Sequence, residues 1–160
     1  MITAVDTNVP LALLYGDDYA DAAEAALRGA YQEGRVVITP VVYAELAADG
    51  QFGAVSDLDE FLADLSVQLV EPSREAVFRA GEKFQQYTDR RPDGLQCPSC
   101  GTTQTARCED CDEELTPRQH VAADFLIGGH ATIDADELLS FDAAFYGTYF
   151  PSLTVSPKNG

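Results

Sequence analysis

Short apolar runs alternate along this chain with longer stretches whose apolar positions recur at helical spacing. ITAVD at 2–6 is an apolar run closed by an acid and predicts a buried strand. VPLALLYG at 9–16 predicts a short helix, and the Ala-rich stretch 19–34 a longer one that stops at Gly34. VVIT at 36–39 predicts a second strand. Thr39 then predicts an N-cap, with Pro40 at the first helical position, opening VVYAELAADG. Ser56 is expected to cap DLDEFLADL, VQLV at 67–70 to form a third strand, and Ser73 to cap a helix running through Tyr87.

The rhythm breaks at 89–115, a polar stretch rich in cysteine and turn residues with neither helical nor strand period. It resumes at Thr116-Pro117-Arg118-Gln119, which reads as a capping box with proline at the first helical position. That box predicts a helix over RQHVAADFLIGGHATI. ELLSF at 137–141 predicts a strand leading to Asp142, DAAFYGTYF a short helix, and LTV at 153–155 a final strand. Repeated β-then-α units imply a parallel sheet covered on both faces, an α/β/α sandwich of three layers. Because the units resume after the break, residues 1–160 read as one domain and 93–115 as a module inserted within it.

With 160 residues and 46% hydrophobic content, the chain can bury a sizeable core. The N-terminal apolar run is too short to span a bilayer, has an acid in its middle and lacks a basic leader. The expectation is a cytoplasmic protein with no membrane association. Charge changes the picture more. Twenty-seven acids face 10 lysines and arginines, a formal net charge of −17, and lysine occurs only at Lys83 and Lys158. Such a field repels phosphate. A halophilic proteome explains it, and a haloarchaeal origin is the expectation. In molar salt the Debye length is roughly 3 Å, so RNA would hardly feel the global charge. Seven of the ten basic residues fall between 74 and 118, among nine acids. Arg90, Arg91, Arg107 and Arg118 are expected to form an edge that grips a phosphate backbone, arginine being suited to phosphate oxygens.

Candidate chemistry starts with carboxylates. Ligands of parallel α/β sheets sit at the carboxyl ends of the strands. Asp6 closes the first strand and Asp142 follows ELLSF. Glu45 lies beside the apolar Val41, Val42 and Leu46, and Asp124 lies among Val121, Ala122, Ala123, Phe125, Leu126 and Ile127. A buried, unpaired carboxylate is costly, and a cation would compensate it. Among 27 acids, each placement alone could be chance; the four together point to a metal site. Hard oxygen ligands suit Mg²⁺ or Mn²⁺, one ion or two.

The segments DTNVPLALL, TPVVYAELA, VAADFLIGGHA and LLSFDAAFY with YFPSLTV resemble, in order and spacing, the four signature segments of PIN domains, and most closely the VapC-type toxins of type II toxin–antitoxin systems. The resemblance covers nearly the whole chain outside 89–115. It implies a PIN-like fold and a metal-dependent endoribonuclease in which Asp6, Glu45, Asp124 and Asp142 hold the ion. Thr7 and Ser140 would be hydroxyl positions beside the first and fourth acids, and Asn8 would order the turn; these three are the accessory cofactor-binding residues. The partners implied are RNA, an antitoxin protein and a second copy in a homodimer. The alternatives are a housekeeping RNA-processing nuclease and a non-catalytic zinc-containing binding module.

Cys97-Pro-Ser-Cys100 and Cys108-Glu-Asp-Cys111, separated by seven residues, use all four cysteines of the chain. Paired CxxC motifs predict a tetrahedral Cys₄ zinc site of structural kind, a ribbon or knuckle with no open position for water. Two disulfides and a rubredoxin-like iron are the alternatives. His120, four residues before Asp124, is expected on the same helix face, touching substrate phosphate or an acid. His130 is expected to serve packing. Tyr15, Tyr19, Tyr43, Tyr87, Tyr146 and Tyr149 are expected in the core or at a subunit interface rather than as platforms for bases.

Overall fold

In a computed structural model of the chain, the described residues are 1–90, 94–96, 102–115 and 121–157. The first half runs β1 (Ile2–Val5), α1 (Asn8–Tyr15), α2 (Ala20–Glu33), β2 (Arg35–Ile38), α3 (Pro40–Ala48), α4 (Val55–Asp64), β3 (Val67–Leu69) and α5 (Arg74–Arg90). Four two-residue strands follow: β4 (Leu95–Gln96), β5 (Thr103–Gln104), β6 (Ala106–Arg107) and β7 (Glu114–Leu115). The chain then returns through α6 (Ala123–Asp134), β8 (Glu137–Leu139), α7 (Ala143–Tyr149) and β9 (Val155–Ser156).

Five strands form one parallel sheet in the order β3-β2-β1-β8-β9. Thr3, Ala4 and Val5 are all buried, as are Val36, Val37 and Ile38, and Leu138 and Leu139. Successive strand residues point to opposite faces, so both faces are covered. This is the expected α/β sheet flanked by helices. From β1 the chain builds outward through β2 and β3. It then returns to lay β8 on the other side of β1, and strand order reverses there. Open α/β sheets bind ligands at such a reversal, outside the carboxyl ends of the strands.

The helix before the return and the helix after it pack tightly because of two adjacent glycines. A Cβ on Gly129 would lie 2.5 Å from the carbonyl oxygen of Ala76 and 2.9 Å from the Ala80 methyl, and one on Gly128 would strike the Phe150 ring. Ala76 and Ala80 are the buried residues of α5. Small residues on both helices thus set the close approach that carries α6 across the carboxyl end of the sheet.

Several local expectations need correction. Ser56 does not cap α4; the helix starts at Val55, and Asp57 instead reaches back to the N–H groups of Ala54 (3.0 Å) and Gly53 (3.2 Å). A carboxylate there outcompetes the hydroxyl because it also meets the positive end of the helix dipole. Thr39 occupies the N-cap position before Pro40, but its buried hydroxyl finds no partner. Ser73 does cap α5, accepting from the Ala76 N–H at 3.2 Å, and that helix extends to Arg90, into the stretch expected to break the rhythm. The last strand is Val155–Ser156 rather than 153–155. Most consequential, α6 begins at Ala123, with Val121 and Ala122 outside the helix and Ala122 extended. The expected start near Arg118 and the capping box lie outside the described residues.

Gly129→Ala is expected to destabilise the fold by about 1–3 kcal/mol through overpacking. A clear drop in melting temperature checks this. A melting temperature equal to or above the parent's would mean that α5 and α6 are not held at the distance their small residues set.

Candidate metal centre

Asp6 follows β1 and is buried, its backbone N–H donating to the Leu139 carbonyl of β8 at 2.9 Å. That bond ties the acid to the place where strand order reverses. Both carboxylate oxygens are held. Oδ1 accepts from the Thr7 N–H at 2.7 Å, and Oδ2 accepts from the Ser140 hydroxyl at 2.6 Å and from Asn8 Nδ2 at 2.8 Å. Asn8 also donates to Ser140 Oγ (3.2 Å), and its own Oδ1 accepts from the Phe141 N–H at 3.2 Å. Ser140 Oγ accepts from the Asp142 N–H at 3.0 Å. The loops after β1 and β8 are thereby stitched together by Asp6, Asn8 and Ser140.

The other acids join from three helices. Glu45 of α3 accepts a short hydrogen bond from the Thr7 hydroxyl. Asp142 is the N-cap of α7, its Oδ1 accepting from the Phe145 N–H at 3.1 Å. Asp124 lies in the first turn of α6 and is exposed as a residue, yet its carboxyl is crowded by protein and by the other acids. Desolvation first, then Asp6, Glu45 and Asp142, push its pKa up to about 6. Burial raises Asp6 as well, with Glu45 adding to the rise, against the hydrogen bonds from Ser140 and Thr7 and the Tyr146 hydroxyl. The structure thus brings Asp6, Glu45 and Asp142 within electrostatic reach of Asp124, and their shared charge is unfavourable.

Thr7, Asn8 and Ser140 spend their hydrogen bonds on the carboxylates themselves, so they orient the acids. Tyr146 is the residue that sequence reasoning missed. It lies one helical turn after Asp142, its N–H facing the Asp142 carbonyl at 3.4 Å. Its ring is buried, and its hydroxyl lies against Asp6 without a well-formed hydrogen bond. Burial and the nearby Asp6, Asp124 and Asp142 raise its pKa strongly, keeping it a neutral phenol. The available signal was the four-residue spacing from Asp142.

The residues fit a hard divalent cation: all donors are oxygens and negative charge is in excess. Among the described residues no three acids, histidines or cysteines are drawn close enough to enclose an ion outright.

The remaining predicted residues fare differently. Arg90 ends α5 and is exposed. Arg107 is exposed but pairs with the Asp112 carboxylate at 2.9 Å and also donates to the Asp112 carbonyl. Arg91, Arg118 and His120 lie outside the described residues. Val121 and Ala122 are not helical, so His120 does not share the Asp124 helix face as expected. His130 is buried beside Asp134, Nδ1 to Oδ2 3.2 Å.

The inserted stretch forms two short antiparallel hairpins, β4–β5 and β6–β7. Cys97 and Cys100 lie outside the described residues. Cys108 and Cys111 lie in the second hairpin's turn as free thiols. There the Cys108 N–H donates to the Glu113 carbonyl (2.8 Å) and the Asp112 N–H to the Cys108 carbonyl (2.9 Å), with Asp112 left-handed at φ 60°. The N–H groups of Cys111 and Asp110, then the Cys111 side chain, lower the Cys108 thiol's pKa. Amides directed at sulfur favour the thiolate, the form that ligates metal.

A five-stranded parallel α/β sheet flanked by helices, with acids at its strand reversal, defines the fold class. The chain belongs to the PIN domain family, which matches residues 3–151. PIN domains are, as a family, metal-dependent nucleases. Similar solved structures include VapBC2 from Rickettsia felis bound to a DNA fragment from its promoter. That chain is 17% identical, with 98% of each chain covered and a TM-score of 0.61. VapBC-1 from nontypeable Haemophilus influenzae is likewise 17% identical, with 98% of this chain and 97% of that chain covered and a TM-score of 0.61. At that identity the likeness is one of fold. No curated protein matches the chain. Among the described residues no helix is long and apolar enough to cross a membrane.

Asp124 supplies a pH test. Its folded-state pKa, about 6, lies above the ordinary 3.8. The metal-free fold therefore loses stability as pH rises through that interval, and the loss persists above it. Asp124→Asn is expected to raise the melting temperature of chelator-treated protein near pH 7.5, with the gain shrinking toward about pH 4.5. A gain of equal size at both pH values, or none at either, would show that Asp124 does not carry this repulsion.

Proposed function

We propose that this chain is an endoribonuclease whose Asp6, Glu45, Asp124 and Asp142 hold Mg²⁺ or Mn²⁺. The observation that carries the reading is the placement of these four acids at the strand reversal, where burial first and repulsion second disfavour the charged forms of Asp6 and Asp124, a cost that a cation would offset. Bound metal would supply an acidified water and neutralise the scissile phosphate. The protein's share is positional. Ser140, Asn8 and the Thr7 amide hold both oxygens of Asp6, the Thr7 hydroxyl holds Glu45, and the Tyr146 hydroxyl offers a neutral donor to a water or substrate oxygen. No covalent nucleophile is needed.

The VapC-type toxin reading is supported by the order of the signature segments and by fold neighbours taken from VapBC assemblies. It brings with it an antitoxin partner and a homodimer. The RNA-processing reading is favoured by one feature, the cysteine-bearing hairpins between α5 and α6, which such an enzyme would use to hold structured RNA. Zinc is proposed at Cys97, Cys100, Cys108 and Cys111, on the CxxC spacing and on the amides turned toward Cys108. Of the proposed gripping arginines, Arg107 would have to exchange Asp112 for phosphate, so Arg90, Arg91 and Arg118 are the stronger contributors. The acid-rich surface is read as adaptation to high salt.

Purified protein is expected to cleave RNA with Mg²⁺ or Mn²⁺, and Asp6→Asn to lower the rate at least ~100-fold while the circular-dichroism spectrum is retained. Retained cleavage in that variant would remove Asp6 from the mechanism. Elemental analysis of the same preparation should find about one zinc per chain; cysteines paired as disulfides, with no bound zinc or iron, would end the zinc reading. Growth arrest on induced expression of the parent, absent with Asp6→Asn, separates toxin from processing enzyme.

A further inference from the structure

Tyr19 and Phe141 stand just outside the carboxylate cluster and are fixed to it. Tyr19 precedes α2, its N–H donating to Asp17 Oδ1 at 2.8 Å, and it is 54% exposed. Its ring lies 4.8 Å from that of Phe141, centroid to centroid, at an interplanar angle of 34°. Phe141 sits between Ser140, which donates to Asp6, and Asp142; its own N–H is held by Asn8. The same asparagine thus orients Asp6 and anchors the ring behind Tyr19. The exposed Tyr15 donates to Asp49 and the half-buried Tyr43 to Asp59. Tyr31, also exposed, lies on α2 and has no ring contact beside the acids among the described residues. Tyr19's hydroxyl makes no hydrogen bond among the described residues, and its ring is left free on the side away from Phe141.

We propose that Tyr19, backed by Phe141, is a stacking platform for an unpaired nucleobase flanking the phosphate held at Asp6 and Asp142. This rests on the ribonuclease reading and adds to it a base-binding position beside the acids. A chain of net charge −17 gives RNA little general electrostatic grip, and whatever cationic contacts exist weaken as salt rises. Stacking on an aromatic face is tolerant of base identity and needs no opposite charge. It requires a base that is free of its duplex partner. The platform's tie to Asn8 and Ser140 sets its position relative to the phosphate, so a base held there places the adjacent phosphodiester at the acids. Of the two places the sequence suggested for Tyr19, the core is excluded by its exposure.

The test uses full-length protein and a short RNA oligonucleotide that the parent cleaves, together with oligonucleotides carrying one abasic position on either side of the cleaved bond. Tyr19→Ala is expected to raise KM about tenfold with kcat little changed, and Tyr19→Trp or Tyr19→Phe to restore KM. One abasic position should raise the parent's KM by a similar factor and abolish the difference between parent and Tyr19→Ala. The penalty should persist as salt is raised. An unchanged KM in Tyr19→Ala would overturn the platform. So would a penalty of equal size on intact and all abasic substrates, which would mean that Tyr19 supports the fold or meets a protein. A parent that cleaves no RNA refutes the ribonuclease reading itself, and the platform falls with it; cleavage unaffected by Tyr19→Ala refutes the platform alone.

Discussion

Carboxylates held partly out of water and close to one another at the strand reversal are the constraint on which this site depends. Asp6 is buried, and Asp124 is crowded enough to titrate near 6. Acids placed so would relax outward if nothing held them. What holds them is a set of neutral donors on short, well-packed elements: Ser140, Asn8 and the Thr7 amide on Asp6, the Thr7 hydroxyl on Glu45, and the α7 N-terminus on Asp142. None of these donors is charged, so the cluster's excess negative charge is oriented without being neutralised. A cation is the economical way to neutralise it.

The scaffold explains how four distant sequence positions meet. The strand reversal puts the residues after β1 and β8 side by side, and the Asp6 N–H to Leu139 bond locks them in register. Asp124 comes from the opposite direction, on a helix whose Gly128 and Gly129 allow it to settle against α5 and Phe150. Bulk at either glycine would shift α6 and, with it, the fourth acid. The double glycine is therefore a site requirement expressed as a packing requirement.

Much of this could be read from the sequence, for physical reasons that differ by residue. Asp6 and Asp142 were legible because an acid ending an apolar strand marks the ligand edge of a parallel sheet. Asp124 and Glu45 stood out because an acid set among apolar helix neighbours, Val41, Val42 and Leu46 for Glu45, needs a reason. Tyr146 was not, since an aromatic in a short helix looks like core until the fold shows its hydroxyl at Asp6. The start of α6 was misplaced because Val121 and Ala122 suit a helix locally, while the chain returning from the hairpins holds Ala122 extended. The hairpins themselves have two-residue strands, too short for any period to register.

The central claim is that the cluster is a charge-strained site relieved by a divalent cation. Its most direct measurement is the melting temperature of chelator-treated protein, at about neutral pH where the acids are ionised, as Mn²⁺ or Mg²⁺ is added at constant ionic strength. The account predicts a saturable rise in the parent that is lost or much reduced in Asp6→Asn, and no comparable rise from monovalent salt. A parent whose melting temperature does not respond to either ion, or responds as strongly after Asp6→Asn, would contradict it.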